Sequence, residues 1–106
     1  MNTISVITPV HAPSLPHPAD ASLAGQELHG WEWQWIVQED GQAGILKGHL
    51  PDDPRISTGQ GRPGGPGVAR TLALARADGV LVKVLDADDL LTPGVLARDI
   101  AVLANA

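Results

Sequence analysis

No cysteine, phenylalanine or tyrosine occurs in the 106 residues, and no lysine or arginine precedes Lys47. Each absence removes a class of protein. Without cysteine there is no disulfide framework and no thiolate metal site, a usage that suits a reducing compartment. The only aromatic residues are Trp31, Trp33 and Trp35, 3% of the chain, so the core must be mainly aliphatic. Seven Lys and Arg against 12 Asp and Glu leave a net charge of −5, which argues against nucleic acid as a partner, because a phosphate backbone demands clustered cations. Long apolar runs are missing too. The best of them, Val80 to Leu85, is short and broken by Lys83. No basic stretch precedes an apolar one at the amino terminus, so signal peptide and membrane span are both disfavoured and the cytoplasm is the expected location.

What is present reads as one folded unit over residues 1–106, since 43% of the residues are hydrophobic and 18% charged, unlike a disordered, highly charged tail. Short β-branched or apolar segments bounded by Pro, Gly or Asp predict strands at Ile4 to Thr8, Gln34 to Gln38 and Val80 to Leu85, with a weaker one at Arg55 to Thr58. Helix signals lie between and after them, at Ala19 to Leu28, Gly67 to Ala77 and Thr92 to Leu103. In the last of these, Thr92 reads as an N-cap, Pro93 as the first helical residue, and Leu96, Ile100 and Leu103 as one face. Strands alternating with helices imply an α/β fold, a Rossmann-like parallel sheet of about four strands with flanking helices. The Trp31, Trp33, Trp35 alternation places the three rings on one side of a strand, where a core role is expected over a binding platform.

In an open parallel sheet ligands bind beyond the carboxyl ends of the strands. His11 follows the first predicted strand, Glu39 and Asp40 the second, and Asp86, Asp88 and Asp89 the last. Two acidic clusters far apart in sequence are thereby expected on one edge of one sheet. Carboxylates that close repel one another unless a cation or donors sit among them, and a hard divalent ion such as Mg²⁺ or Mn²⁺ takes oxygen ligands of this kind. The bland alternative is a solvated acidic turn leading into the last helix. Gly59, Gly61 and Gly64 also spell G-x-G-x-x-G, the outline of a dinucleotide fingerprint, although Pro63 and Pro66 remove amides that a pyrophosphate would want. The four histidines lack metal-ligand spacing, and no G-x-S-x-G supports a serine hydrolase.

Four segments in register resemble the landmarks of family 2 glycosyltransferases, the inverting enzymes of the GT-A fold. They are Ile4-Ser-Val-Ile-Thr-Pro-Val-His11, Trp33-Gln-Trp-Ile-Val-Gln-Glu-Asp-Gly41, Pro66-Gly-Val-Ala-Arg70 with the residues after it, and Asp78 to Asp89 ending in Asp86-Ala-Asp88-Asp89. The resemblance implies the nucleotide-sugar-binding half of that fold. Its donor site would draw on Pro9, His11, Glu39, Asp40, Arg70, Asp86, Ala87 and Asp88. His11 and Asp40 would lie against the base and Arg70 near the nucleotide, while the D-x-D motif of Asp86 and Asp88 holds ribose and diphosphate and Asp88 with Asp89 takes Mg²⁺ or Mn²⁺. His11 stands where Tyr is usual, Thr71 where Asn often follows the Arg, and Gln42 in place of a typical Ser.

Transfer to an acceptor hydroxyl also needs a general base, which in that family comes from a later segment. None is expected among these residues, so the chain is expected to bind a nucleotide-diphosphate sugar and to be incomplete and inactive alone. The acceptor is not specified by the sequence. The rival expectation is a non-catalytic module that binds a nucleotide or a protein, including a second copy of itself, through an exposed sheet edge.

Overall fold

The structure, a computed structural model, describes residues 2–10, 22–28, 30–41, 50, 53–61, 64–85 and 91–104. Among the described residues there are four strands: β1 (Asn2–Val10), β2 (Trp31–Glu39), β3 (Ile56–Gly59) and β4 (Leu81–Val84). They form a single all-parallel sheet in the order β3-β2-β1-β4. Among the described residues two ten-residue helices flank it, α1 (Pro66–Ala75) and α2 (Val95–Ala104). The α/β fold expected from the alternation of strands and helices is the one observed. Among the described residues no helix is long and apolar enough to cross a membrane.

Period-two side-chain alternation divides the sheet into two unlike faces. One carries Ile4, Val6 and Val10 of β1 and Trp33, Trp35 and Val37 of β2, packed in one cluster with Leu23, Leu85, Leu91, Leu96 and Ile100. Trp35 is fully buried and Trp33 nearly so, as expected of rings on one side of a strand. The Trp35 indole N–H donates to Thr8 Oγ1 at 2.8 Å, giving both buried polar atoms a partner. Lys83 Nζ bonds Asp99 Oδ2 at 2.5 Å and ties β4 to α2 on this side.

The second face is covered by α1. Its small residues Ala69 and Ala73 are buried, and Ala73 packs on Ile7 and Ile36. Around this contact lies a polar girdle. Ser5 Oγ donates to Gln34 Oε1 at 2.8 Å and accepts from the Gly79 amide at 2.8 Å, while the Asp78 amide donates to Gln34 Oε1 at 3.0 Å.

Two expected helices differ from the sequence reading. Gly94, at φ 77°, turns the chain before Val95, so α2 begins there and the helical stretch does not start at Pro93. The Thr92 carbonyl accepts from the Val95 amide at 3.1 Å and from Gln26 Nε2 at 3.0 Å. Leu96 and Ile100 are buried as expected, but Leu103, one turn on, is 52% exposed. Of the stretch expected to be helical over 19–28, the described residues 22–28 show helix at 22–24 and none over 25–28. Gln26 explains what replaces the rest: its amide reaches across to Thr92 and accepts from the Leu96 amide, fastening this segment to α2.

Candidate functional site at the carboxyl ends of the strands

β1 is the point from which the chain runs both ways: β2 and β3 lie on one side and β4 on the other. Such a reversal in strand order opens a crevice at the carboxyl ends of the two diverging strands. The hydrogen bonds show how the crevice is made. Ile7 O accepts from the Leu85 amide at 2.9 Å and so faces β4, whereas Val10 O accepts from the Asp40 amide at 2.7 Å and faces β2. By alternation, Pro9 turns its backbone nitrogen toward the β4 side, beyond the last β1–β4 pair, Ile7↔Val84. A residue with no N–H there extends no ladder to β4.

Glu39 and Asp40 both stand at the end of β2, but they do not act together. Glu39 shares the face of Trp35 and Val37 and is only 2% exposed. Asp40 turns to the α1 side, where its Oδ1 accepts from the amides of Gly64 and Gly65 at 3.0 and 3.2 Å. The two carboxylates of this one cluster therefore occupy separate environments, while the second acidic cluster expected on the same edge, Asp86, Asp88 and Asp89, lies outside the described residues.

Arg70 is exposed on α1, beside the turn-related Ala69 and Ala73 that face the sheet. His11, Asp86, Ala87, Asp88 and Asp89 lie outside the described residues. Among the described residues no group of three His, Asp or Glu side chains is arranged to hold a metal.

The glycine-rich segment is bound into the same end of the sheet. The Gly61 amide donates to Gly41 O at 3.1 Å. A Cβ on Gly59 would come within 2.7 Å of Arg76 Nη2 and of Gln38 Oε1, one on Gly61 within 2.3 Å of Leu72 Cδ1, and one on Gly64 within 2.7 Å of Val68 Cγ2. Packing against α1 and its following turn thus accounts for these glycines. The motif also follows β3, an edge strand, two positions from the β1–β4 reversal. The position that a dinucleotide fingerprint occupies, the first strand at the reversal, is filled by β1 and its Pro9. A hollow of about 340 Å³ lies beside this segment, lined by Gly64, Gly67, Val68, Thr71 and Leu72.

Arg76 escaped the sequence reading. It follows α1 and reaches back across the sheet, with Nη2 donating to Gln38 Oε1 at 2.8 Å and Nη1 donating to Ser57 Oγ at 2.5 Å. Burial lowers its pKa from the ordinary arginine value, and its Nε is buried with no partner among the described residues. The available signal was Gln38, a polar residue directly after the apolar run Trp35-Ile36-Val37.

No protein-family model matches the chain, and no curated protein matches it. Among solved structures it is similar to TarS of S. aureus, a glycosyltransferase. The two agree with a TM-score of 0.76 and 25% sequence identity over 99% of this chain. The chain spans 20% of the length of that protein. The fold described above is therefore a glycosyltransferase-like fold.

Proposed function

We propose that this chain is the donor-binding part of a family 2-like glycosyltransferase, built on the partial GT-A fold of residues 1–106 and acting in the cytoplasm. The observation that carries the proposal is the all-parallel sheet with its β1–β4 reversal, similar over 99% of the chain to a glycosyltransferase. In this reading a nucleotide-diphosphate sugar lies across the carboxyl ends of β1 and β4. Pro9, His11, Glu39 and Asp40 belong to the base side, Arg70 to the nucleotide, and Asp86, Ala87 and Asp88 to ribose and diphosphate.

The donor set suits a hard cation, because Asp86, Asp88 and Asp89 offer only carboxylate oxygens and the chain contains no thiolate. Asp88 and Asp89 would hold Mg²⁺ or Mn²⁺, which would supply positive charge against the diphosphate. The chain's own residues do the rest. Pro9 leaves the β1–β4 ladder open, and the buried rows beneath hold the strand ends fixed.

Calorimetric titration with UDP, GDP and dTDP, with and without Mn²⁺, tests the proposal on the wild-type chain and on Asp88→Ala. Metal-dependent binding of a nucleotide, lost in the variant, is the expected result; no binding of any of the three sinks the donor reading. Transfer to an acceptor hydroxyl is expected to require a second segment that supplies the general base.

A second reading is favoured by one observation. Val82 and Val84 of the edge strand β4, and Val80 just before it, are 40%, 47% and 68% exposed. A non-catalytic module docking a protein, or a second copy of itself, on that edge would use this stripe.

A further inference from the structure

Trp31 departs from the core role expected of all three tryptophans. Trp33 and Trp35 are buried, whereas Trp31 is half-buried and, with Leu28, forms the common wall of two hollows. One, of about 230 Å³, carries Glu32, Trp33 and Arg55 on its lining. The other, of about 250 Å³, adds Ala97, Ile100 and Ala101 and so has an apolar lining. Trp31 opens β2, paired with Asn2, and lies roughly 26 Å from Glu39 at the other end of that strand.

The polar lobe holds one fixed donor and one free acceptor. Arg55 lies over the Trp33 ring at 3.9 Å, and Asp53 clamps it from the side, accepting from Nε at 3.1 Å and from Nη2 at 2.7 Å. Stack and clamp fix the guanidinium and leave its Nη1 unpaired among the described residues. Glu32 is exposed and makes no hydrogen bond among the described residues. The main chain adds to this set. The Trp35 N–H donates to Arg55 O at 2.8 Å, and by alternation Trp33 turns its N–H and C=O the same way, ahead of the first β2–β3 pair, Trp35↔Ile56.

Such a lining selects among ligands. A phosphate gains nothing from Glu32, an ammonium gains nothing from Arg55, and Glu32 with Asp53 against Arg55 leaves an excess of negative charge that repels anions. A hydroxyl both donates and accepts, and so uses both groups. The indole face carries negative charge density that suits the C–H face of a sugar ring. We propose that this double hollow binds a neutral glycoside, the sugar ring against Trp31 with its hydroxyls on Glu32 and Arg55, and an apolar aglycone in the lobe of Ala97, Ile100 and Ala101. The site shares no residue with the donor site proposed above and does not depend on it. Lying at the opposite end of β2, it holds a saccharide and takes no part in transfer.

Tryptophan fluorescence reads the site directly, because Trp33 and Trp35 are shielded from solvent. Methyl and butyl glycosides of glucose, galactose and mannose, together with tetramethylammonium chloride and inorganic phosphate, are titrated into the full chain and followed by fluorescence and calorimetry. At least one methyl glycoside is expected to give a saturable response, and its butyl counterpart to bind more tightly by about fourfold per added methylene. Glu32→Ala and Arg55→Met are each expected to weaken binding about tenfold. Glu32 is exposed and methionine keeps an unbranched stem over Trp33, so both variants should retain the wild-type circular dichroism spectrum. No saturable response to any glycoside overturns the proposal, as does a response that both variants retain in full. Tighter binding of tetramethylammonium or phosphate than of every glycoside overturns it in favour of an ion site. Equal affinity for methyl and butyl glycosides overturns the placement of the aglycone.

Discussion

The two faces of the sheet solve the same packing problem by different means. On the α2 side a large apolar cluster dominates, and the polar groups buried at its margin are few, among them Thr8, which accepts from the Trp35 indole N–H, and Gln26, which bonds Thr92 O and the Leu96 amide. On the α1 side the apolar contact is small, Ile7 and Ile36 against Ala73, and a ring of directed bonds through Ser5, Gln34, Gln38, Ser57 and Arg76 surrounds it. The first face is held by area removed from water, which tolerates small shifts; the second is held by geometry, which does not. It is the second that adjoins Asp40 and the start of α1, where a ligand site needs fixed positions.

The contrast can be broken from either side. Trp35→Ala should have the largest effect, because it opens a cavity at a fully buried position and strands the Thr8 hydroxyl; a loss of about 3–5 kcal/mol is expected in urea unfolding. Arg76→Ala should cost less, about 2–3 kcal/mol, by leaving Gln38 Oε1 and Ser57 Oγ without their donor. The two differ in kind: Arg76→Met, which keeps the packed stem, should recover little if directed bonds dominate that face, and recovery of most of the loss would show that packing dominates there too.

The smallest effect lies at the margin of the α2-side face. Arg55 stacks over the Trp33 ring at 3.9 Å and its guanidinium holds Asp53 at a pKa of about 2, below the usual 3.8. A depressed carboxylate pKa adds stability that is present above the unfolded-state value and lost as pH falls through the folded-state value. Acid titration should therefore show this contribution disappearing between about pH 4 and pH 2, and Asp53→Asn should remove that step and lose the same small contribution at pH 7, small because the pair is solvent-accessible.

The same contrast explains what was legible in the sequence. Period-two runs of Ile4, Val6 and of Trp33, Trp35, Val37 announce an apolar face, and they led directly to the strands, the parallel sheet and the ends at which a site should be sought. Polar residues on the other face carry no such signature. Ser5 and Gln38 are as buried as their apolar neighbours, yet in sequence they read as solvent-facing positions. Arg76 and the pairing of Asp40 with Gly64 and Gly65 were hidden for a related reason: both join segments distant in sequence by single directed bonds. The separation of Glu39 from Asp40 follows from strand alternation alone and was available from the outset. Gly94, by contrast, moves the start of α2 through a backbone angle that Thr92-Pro93 does not reveal.

β3 contributes only four residues to the sheet, at its edge. Arg76 crosses from the end of α1 to Ser57 of β3 and Gln38 of β2, so the edge strand cannot peel away without dragging the helix terminus or breaking the guanidinium bonds. β3 and α1 are thereby joined into one cooperative opening unit, whose amides would exchange with solvent at a common free energy despite lying in different layers of the molecule.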